Sequence, residues 1–126
     1  DHLSEIDDPS SFLFVHINNH GEKVGFSLNV FNQRSCSFEI RRLVIDKKGQ
    51  GYGKTSMLAL LDFGFNELMA QRVWLDVYPD NEIGINLYRN LGFVQEGYLR
   101  RSDFHRGDYQ DQLIFSMLVE EYKNII

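Results

Sequence analysis

The sequence predicts a mixed α/β fold in which one sheet contains both parallel and antiparallel strands. Three strand-like segments come first, and an amphipathic segment with apolar residues at three- and four-residue spacings follows them. A strand, a short helix and two final strands complete the chain. A strand–helix–strand succession favours parallel pairing, whereas short turns favour antiparallel hairpins. The expected order is therefore βββ-α-β-α-ββ.

The first half of the chain is expected to supply three strands and the longer helix. Residues 11–18 and 23–30 are typical of a hairpin, because the turn between them contains Asn, His and Gly. Residues 35–45 are predicted to form a longer strand that runs into a glycine-rich segment. Residues 54–70 carry the helical periodicity, so a helix is expected to begin just after Gly53.

The second half is expected to alternate strand and helix before a last hairpin. Residues 72–78 are rich in β-branched and aromatic side chains, which predicts a strand. Pro79, Asp80 and Asn81 end that strand, and Asn81 can cap a helix over residues 82–90. Gly92 follows where a C-terminal glycine belongs. The last two strands are predicted at residues 93–101 and 109–121, around a turn at 106–108.

Composition limits the function classes. A length of 126 residues with 43% hydrophobic and 25% charged residues predicts one globular domain over residues 1–126, with residues 1–10 expected to fray. No apolar run is long enough to span a membrane, and the acidic start does not resemble a leader peptide. One cysteine, Cys36, excludes an internal disulfide, and the four histidines lack ligand spacing, so no metal site is expected. A cytoplasmic location is expected.

Charge is distributed unevenly along the chain. The net charge of −5 argues against a nucleic-acid partner. Residues 41–54, however, carry a net charge of +4 and three of the ten glycines. This segment is either a solvated charged turn or a site for a small, multiply charged anion.

The glycine-rich segment lies between a strand and a helix. Backbone N–H groups exposed by glycines, together with a helix N-terminus, bind phosphates well. A P-loop would need a glycine at position 48, where the chain has Lys48, and the dinucleotide pattern G-x-G-x-x-G is also not met. These failures disfavour a nucleotide-binding fragment. A glycine-rich turn without a ligand remains an alternative.

Two motifs in this chain resemble those of the GNAT superfamily of acyl-CoA-dependent N-acyltransferases. The first is its pyrophosphate loop, Arg/Gln-x-x-Gly-x-Gly/Ala, which is similar to residues 48–53 with Lys48 in the first position. The second is Asn-x-x-Ala-x-x-Leu-Tyr-x-x-x-Gly-Phe, which is similar to residues 81–93 with Gly84 in place of alanine. Residues 96–111 look like the ribosomal-protein and polyamine acetyltransferase branches. The resemblance implies a GNAT-like fold, and the strand and helices that usually precede the first hairpin are expected to be absent.

The resemblance implies that acetyl-CoA is the cofactor. The strand end formed by Leu43, Val44 and Ile45 would splay from its parallel neighbour and pair with the pantetheine arm. Asn81 resembles a cofactor-contacting asparagine of the family, although it can equally be a helix cap. The loop and helix start expected to bind the pyrophosphate comprise Lys48, Gly49, Gln50, Gly51, Tyr52, Gly53, Lys54 and Thr55.

The resemblance also implies the acid and the base. Tyr88 stands where the family has the tyrosine that protonates the leaving thiolate, and its alternative is a core tyrosine. Glu39 is the candidate base for the amine, with a plain strand glutamate or a water relay as alternatives. Cys36 is expected to be a small packed side chain rather than a nucleophile. Asp103, Asp108 and Asp111 could bind a cationic acceptor or be surface residues.

The implied function is direct acetyl transfer from acetyl-CoA to a primary amine of a polyamine, a small molecule or a protein N-terminus. The alternative is a non-catalytic acyl-CoA-binding or regulatory module of the same fold. The expected partner is an amine-bearing acceptor, without nucleic acid or membrane, and a homodimer is possible within the family.

Overall fold

The computed structural model of the chain describes residues 10–46 and 49–125. Its strands are β1 (Ser10–Ile17), β2 (Lys23–Asn32), β3 (Ser37–Ile45), β4 (Arg72–Val77), β5 (Val94–His105) and β6 (Asp108–Leu118). Its α-helices are α1 (Tyr52–Asp62), α2 (Glu82–Leu91) and α3 (Val119–Ile125), and a π-helical turn, Phe63–Glu67, continues α1. The expected succession of the first eight elements is confirmed.

The six strands form one mixed sheet in the order β1-β2-β3-β4-β6-β5. β3 and β4 are parallel, and every other neighbouring pair is antiparallel. The parallel pair is the one joined through α1, because a chain that crosses over by a helix returns in the same direction. The predicted mixed sheet, with antiparallel hairpins on either side of a strand–helix–strand unit, is therefore confirmed.

The core lies between the sheet and its helices. On β4, the alternating residues Val73, Leu75 and Val77 are buried, while Trp74 and Asp76 point to the other face. The buried residues of all three helices belong to the same cluster, so the helices cover one face of the sheet. Its fully buried side chains include those of Phe38, Phe115, Met57, Leu61, Val73 and Met117.

The predicted helix over residues 54–70 is wrong in its extent. α1 begins two residues earlier, at Tyr52, and turns π-helical at Phe63. In this wider turn the Leu68 N–H donates to the Phe63 carbonyl at 3.0 Å. Gly64 lies in the turn, and a β-carbon there would lie 2.9 Å from the Phe38 ring. The absence of a side chain at Gly64 therefore lets the turn sit directly on the sheet.

The predicted last strand, residues 109–121, is also wrong at its end. β6 ends at Leu118, and α3 follows at once. The Leu118 N–H donates to Glu121 Oε1 at 2.8 Å, which satisfies one free donor at the start of the helix. The Val119 N–H donates to the Gln71 carbonyl at 3.0 Å, which ties the helix start to the turn before β4.

Other strand and helix ends shift by one to four residues. β3 begins at Ser37 rather than residue 35, because the Asn32 side chain accepts from the N–H groups of Arg34 and Ser35 and holds a turn there. Cys36 closes this turn with a φ of 55°. β5 continues past Arg101 to His105, with a bulge between Leu99 and Asp103.

Within residues 10–46 and 49–125, no helix is long and apolar enough to span a membrane. In the same described part of the chain, no group of three His, Cys, Asp or Glu side chains is arranged to hold a metal ion.

Replacing Gly64 with alanine should destabilise the fold. Overpacking against the fully buried Phe38 costs about 1–3 kcal/mol, whereas the helix-propensity gain is at most about 1 kcal/mol. We expect Gly64→Ala to lower the free energy of unfolding by about 1–2 kcal/mol in urea titrations. Glu67→Ala, on the exposed side of the same turn, should change it by less than about 0.5 kcal/mol. A Gly64→Ala protein as stable as its parent would contradict the close contact.

Candidate functional site

A cleft opens in the sheet where β3 and β4 separate. The two strands pair only at Ser37–Arg72, Phe38–Val73 and Glu39–Trp74. Beyond these three pairs they diverge and leave a cavity of about 440 Å³. The expected splay between the end of β3 and β4 is therefore present. Residues of β3, β4, α2 and β5 line the cavity: Ile40, Arg41, Arg42, Leu43, Leu75, Asp76, Val77, Tyr78, Asn81, Tyr88, Asp103, Phe104 and His105.

A β-bulge in β3 coincides with the start of the cleft. Ile40 pairs with Asn29 and Arg42 pairs with Leu28, so Arg41 is the extra residue. A bulge bends its strand and increases the local twist, which directs the end of β3 away from β4. It also shifts the alternation: Ile40 is buried, and Leu43 rather than Arg42 is the next residue to pack on the core. Both arginines consequently reach the cleft wall.

The N-terminus of α1 supplies backbone donors. Gly51 precedes the helix with a φ of 77°, a conformation that glycine adopts without strain. The N–H groups of Tyr52, Gly53 and Lys54 have no partner within the helix, as in any first turn. Thr55 differs, because its N–H and its hydroxyl both donate to the Gly51 carbonyl, at 3.2 and 3.1 Å.

The remaining loop residues of the predicted pyrophosphate site are partly described. Gly49 adopts a φ of 79°, and Gln50 is exposed beside it. Lys48, with its neighbour Lys47, lies outside the described residues. The loop therefore brings two left-handed glycines, Gly49 and Gly51, to the start of α1, where successive N–H groups are free to converge on an anion.

Asn81 begins α2 as an N-cap. Its Oδ1 accepts the Gly84 N–H at 3.0 Å. A β-carbon at Gly84 would lie 2.7 Å from Asn81 Nδ2. The glycine that departs from the family motif is thus the residue that leaves room for this cap. Asn81 also lines the cleft, so the two predicted roles, helix cap and cofactor contact, are not exclusive.

Tyr88 lies one helical turn before the C-terminus of α2 and lines the cleft. Its ring packs against Phe93 and Phe115, with centroids 6.0 and 6.1 Å away. Burial, with a smaller contribution from the charge of Asp76, raises the pKa of Tyr88 above its ordinary value. The phenol therefore stays protonated at neutral pH, as a proton donor must.

Glu39, the predicted base, lies at the closed end of the cleft. It belongs to the last paired position of β3 and β4, opposite Trp74. Its carboxylate is 12% exposed and pairs with Arg41, whose Nη2 lies 2.9 Å from Glu39 Oε1. Its role as a base stays a prediction.

Asp76 and Tyr78 are among the cleft residues that sequence reasoning missed. Both follow Trp74 on the face of β4 opposite the core, which strict strand alternation would have indicated. The Tyr78 hydroxyl donates to Asp103 Oδ2 at 2.5 Å, and this bond raises the pKa of Tyr78 to about 12. Burial, then the charges of Glu39 and Asp103, raise the pKa of Asp76.

The other acidic and nucleophilic candidates are dispersed. Asp103 lies in the cleft. Asp111 lies in a separate depression of about 320 Å³, where it accepts the Tyr98 hydroxyl and the Arg101 N–H. Asp108 opens β6 in the hairpin turn. Cys36 lies in the β2–β3 turn with its thiol on the Met69 carbonyl, apart from the cleft lining.

Comparison with known proteins gives independent information on the family of this chain. A model of the Acetyltransferase (GNAT) family matches residues 1–93. A spermidine N(1)-acetyltransferase of Escherichia coli K12 is 32% identical over 123 residues, covering 93% of this chain and 63% of that protein. A Vibrio cholerae spermidine N(1)-acetyltransferase is 33% identical over 91 residues, covering 72% of this chain and 52% of that protein.

Solved structures of spermidine N-acetyltransferases are also similar to this chain. Crystals of the Vibrio cholerae spermidine/spermine N-acetyltransferase SpeG contain a chain that is 28% identical, with a TM-score of 0.85, covering 98% of this chain and 75% of that one. The dodecameric structure of the Vibrio cholerae enzyme matches with a TM-score of 0.84 and 28% identity, covering 98% of this chain and 73% of that one. The present chain spans between 42% and 63% of the length of four curated relatives that it matches.

The Asn81 cap and Gly84 should be energetically coupled. Asn81→Ala removes the cap and should cost about 1 kcal/mol of stability. Gly84→Ala should displace the Asn81 side-chain amide and so remove the cap by itself. In the Gly84→Ala background, Asn81→Ala should therefore cost less than about 0.3 kcal/mol of stability, and the coupling free energy between the two positions should nearly equal the free energy of the cap. Thermal unfolding of the four proteins measures the cycle. An equal cost of Asn81→Ala in both backgrounds would contradict the predicted displacement.

Proposed function

This chain belongs to the acetyltransferase (GNAT) family, and from that premise we propose that it transfers an acetyl group from acetyl-CoA to a primary amine. The observation that carries the proposal is the opening between β3 and β4, which adjoins Tyr88. The open strand edge suits the peptide-like amides of the pantetheine arm, and the protonated tyrosine suits the thiolate that leaves from the thioester.

Acetyl-CoA would enter along β3. The groups of Leu43, Val44 and Ile45 that face β4 lie beyond the last β3–β4 pair, so they are available to the pantetheine amides as an added strand is. The pyrophosphate would lie on the N–H groups at the start of α1, after Gly51. Lys48 is proposed to add positive charge there, together with Lys54.

The proposed reaction needs an acid for the leaving thiolate and a base for the amine. The amine nitrogen attacks the thioester carbonyl carbon, the C–S bond breaks, and the electron pair goes to sulfur. Tyr88 donates its proton to that thiolate, and the proton that the nitrogen loses on becoming an amide restores the phenol. Because an alkylammonium of ordinary pKa about 10.4 is not nucleophilic, a base must first take one proton from it.

The acceptor is proposed to be a cationic amine, with a polyamine as the first candidate. Asp76 and Asp103 bring two carboxyl groups to the cleft, and Tyr78 stacks on His105 with centroids 5.2 Å apart. Carboxylates beside aromatic faces suit ammonium groups. The relatives named for spermidine support this class, and small-molecule amines and protein N-termini complete the set to be tested. We also propose that copies of the chain assemble, as the dodecameric Vibrio cholerae enzyme does.

Acetyl-CoA binding should depend on the backbone of Gly51. A β-carbon there would stand where the phosphates approach, and alanine at a φ of 77° costs about 1–2 kcal/mol of strain. We expect Gly51→Ala to raise the acetyl-CoA dissociation constant at least about tenfold by calorimetry. Gly107→Ala is the matched control, because Gly107 has a φ of 80° and equally open surroundings in the β5–β6 turn. No binding by the parent chain would refute the proposed cofactor.

Turnover should depend on the Tyr88 hydroxyl. With spermidine, 1,4-diaminobutane and a peptide with a free N-terminus as acceptors, release of the CoA thiol measures the rate. Tyr88→Phe keeps the ring packing and should lower kcat about 100-fold at neutral pH while acetyl-CoA still binds. An unchanged kcat would exclude Tyr88 as the acid. Cofactor binding by the parent without turnover of any amine would favour the non-catalytic acyl-CoA-binding module instead.

A further inference from the structure

We propose that Asp76, rather than Glu39, is the catalytic residue that accepts the proton from the acceptor amine. The inference rests on the proposed function, and it assigns the base that this function requires. Three features carry it: the position of Asp76 in the opened part of the sheet, the engagement of Glu39 elsewhere, and the electrostatic surroundings of the two carboxylates.

Position is the first feature. Asp76 lies two residues past Trp74, the last β4 residue paired with β3, so it lines the cleft on the same sheet face as Trp74. Its neighbours Leu75 and Val77 face the helices. Tyr88 approaches from the helix-covered face and Asp76 from the opposite one, and both line the same cavity. A thioester held between them would have its acid on one side and its base on the other.

The second feature is the position of Glu39. It belongs to the part of the sheet where β3 and β4 are still paired, and it does not line the cavity. Arg41 holds its carboxylate through Nη2 at 2.9 Å and Nε at 3.4 Å. Both carboxylate oxygens of Glu39 are therefore engaged by the Arg41 guanidinium. Glu39 is therefore better placed to position the Arg41 side chain than to accept a proton from an amine.

The third feature is the environment of Asp76. Burial makes the largest contribution to raising its pKa, followed by the charges of Glu39 and Asp103. A base with a raised pKa accepts a proton from an ammonium more readily, because the two pKa values lie closer together. The groups that face Asp76 from the packed elements are Glu39 and Arg41 of β3, Tyr88 of α2, Asp103 of β5 and Gln112 of β6, with Tyr78 just past the end of its own strand. Arg42 of β3 and His105 of β5 line the same cavity.

The proton transfers balance. The ammonium hydrogen-bonds to the Asp76 carboxylate and gives it one proton, and the lone pair that this frees forms the bond to the thioester carbon. After the C–S bond has broken, Tyr88 protonates the sulfur and regains a proton from the nitrogen as it becomes an amide, and the acid form of Asp76 returns its proton to solvent through the open cleft. The net products are the amide, the CoA thiol and one proton.

The test compares pH profiles of kcat/KM for spermidine between pH 6 and 9. Asp76→Asn should lower kcat/KM about 100-fold at pH 7, the usual contribution of a general base. Its rate should then rise about tenfold per pH unit, because only amine already deprotonated in solution can react. The parent should be nearly flat over this range, because the Asp76 carboxylate takes the proton from the bound ammonium within the complex.

Matched variants separate this role from a structural one. Glu67→Gln, a charge-removing change on the exposed π-helical turn, should leave the profile unchanged. Glu39→Gln should lose less than Asp76→Asn and keep the parental slope. Acetyl-CoA affinity should be the same in the parent, Asp76→Asn, Glu39→Gln and Glu67→Gln. Added formate should restore part of the rate of Asp76→Ala, because a small carboxylate can enter the space left in the cleft.

Three outcomes overturn the inference. A higher KM for spermidine in Asp76→Asn, with kcat and slope as in the parent, would make Asp76 an ammonium-binding group only. A steep profile in Glu39→Gln with a flat one in Asp76→Asn would return the role to Glu39. Asp76→Ala without formate rescue, together with an Asp76→Asn slope like that of the parent, would exclude any base function at this position. A parent that binds acetyl-CoA yet acetylates none of the amines refutes the proposed function instead, before any variant is compared.

Discussion

The three-residue parallel pairing between β3 and β4 is the constraint on which the candidate site depends. A sheet normally satisfies its backbone donors and acceptors by continuing the pairing, and unpaired buried groups are costly. Here the pairing ends at Glu39 and Trp74, so the remaining length of β3 presents backbone groups to a cavity. Each half of the sheet stays paired internally, β3 with β2 and β4 with β6, and the three β3–β4 pairs join the two halves. The opening is therefore local and does not divide the core.

Packing fixes the separation between the two ends of the cleft. A β-carbon at Gly53, in the first turn of α1, would lie 3.4 Å from Leu87 Cδ2 on α2. Leu87 immediately precedes Tyr88, so the first turn of α1 lies close to the part of α2 that carries the candidate proton donor. The other side of Tyr88 packs on Phe115 of β6. Both helices pack on the same face of the sheet, which places Tyr88 and the first turn of α1 on one side of it.

Local patterns in the sequence predict most of this arrangement, and contacts distant in sequence supply the rest. Strand alternation, helical spacing and the glycines suffice for the order of the first eight elements and for the phosphate-type helix start. The bulge left a signal that was not used: Ile40 and Leu43 enclose two successive arginines, which breaks the period of two. α3 gave no such signal, since the apolar alternation of β6 continues up to it, and its start depends on Gln71, far back in the chain. The convergence of Asp76 with Asp103 depends on the strand order β4-β6-β5, which alternation within one strand does not encode.

The two walls of the cleft carry opposite charges, so each wall favours a ligand group of a different sign. Arg41 and Arg42 lie on the β3 wall, whereas Asp76 and Asp103 lie on the wall formed by β4 and β5. The uneven charge along the sequence, a basic segment within an acidic chain, is thereby converted into a field across the cavity. Under the proposed function, a polyanionic cofactor would be drawn to the β3 wall and an ammonium to the facing wall. Arg41 pairs with Glu39 at the closed end of the cleft, whereas Asp76 and Asp103 lie where the strands have already separated. Under the proposed function, an acceptor attracted to Asp76 and Asp103 would enter the cavity that Tyr88 also lines.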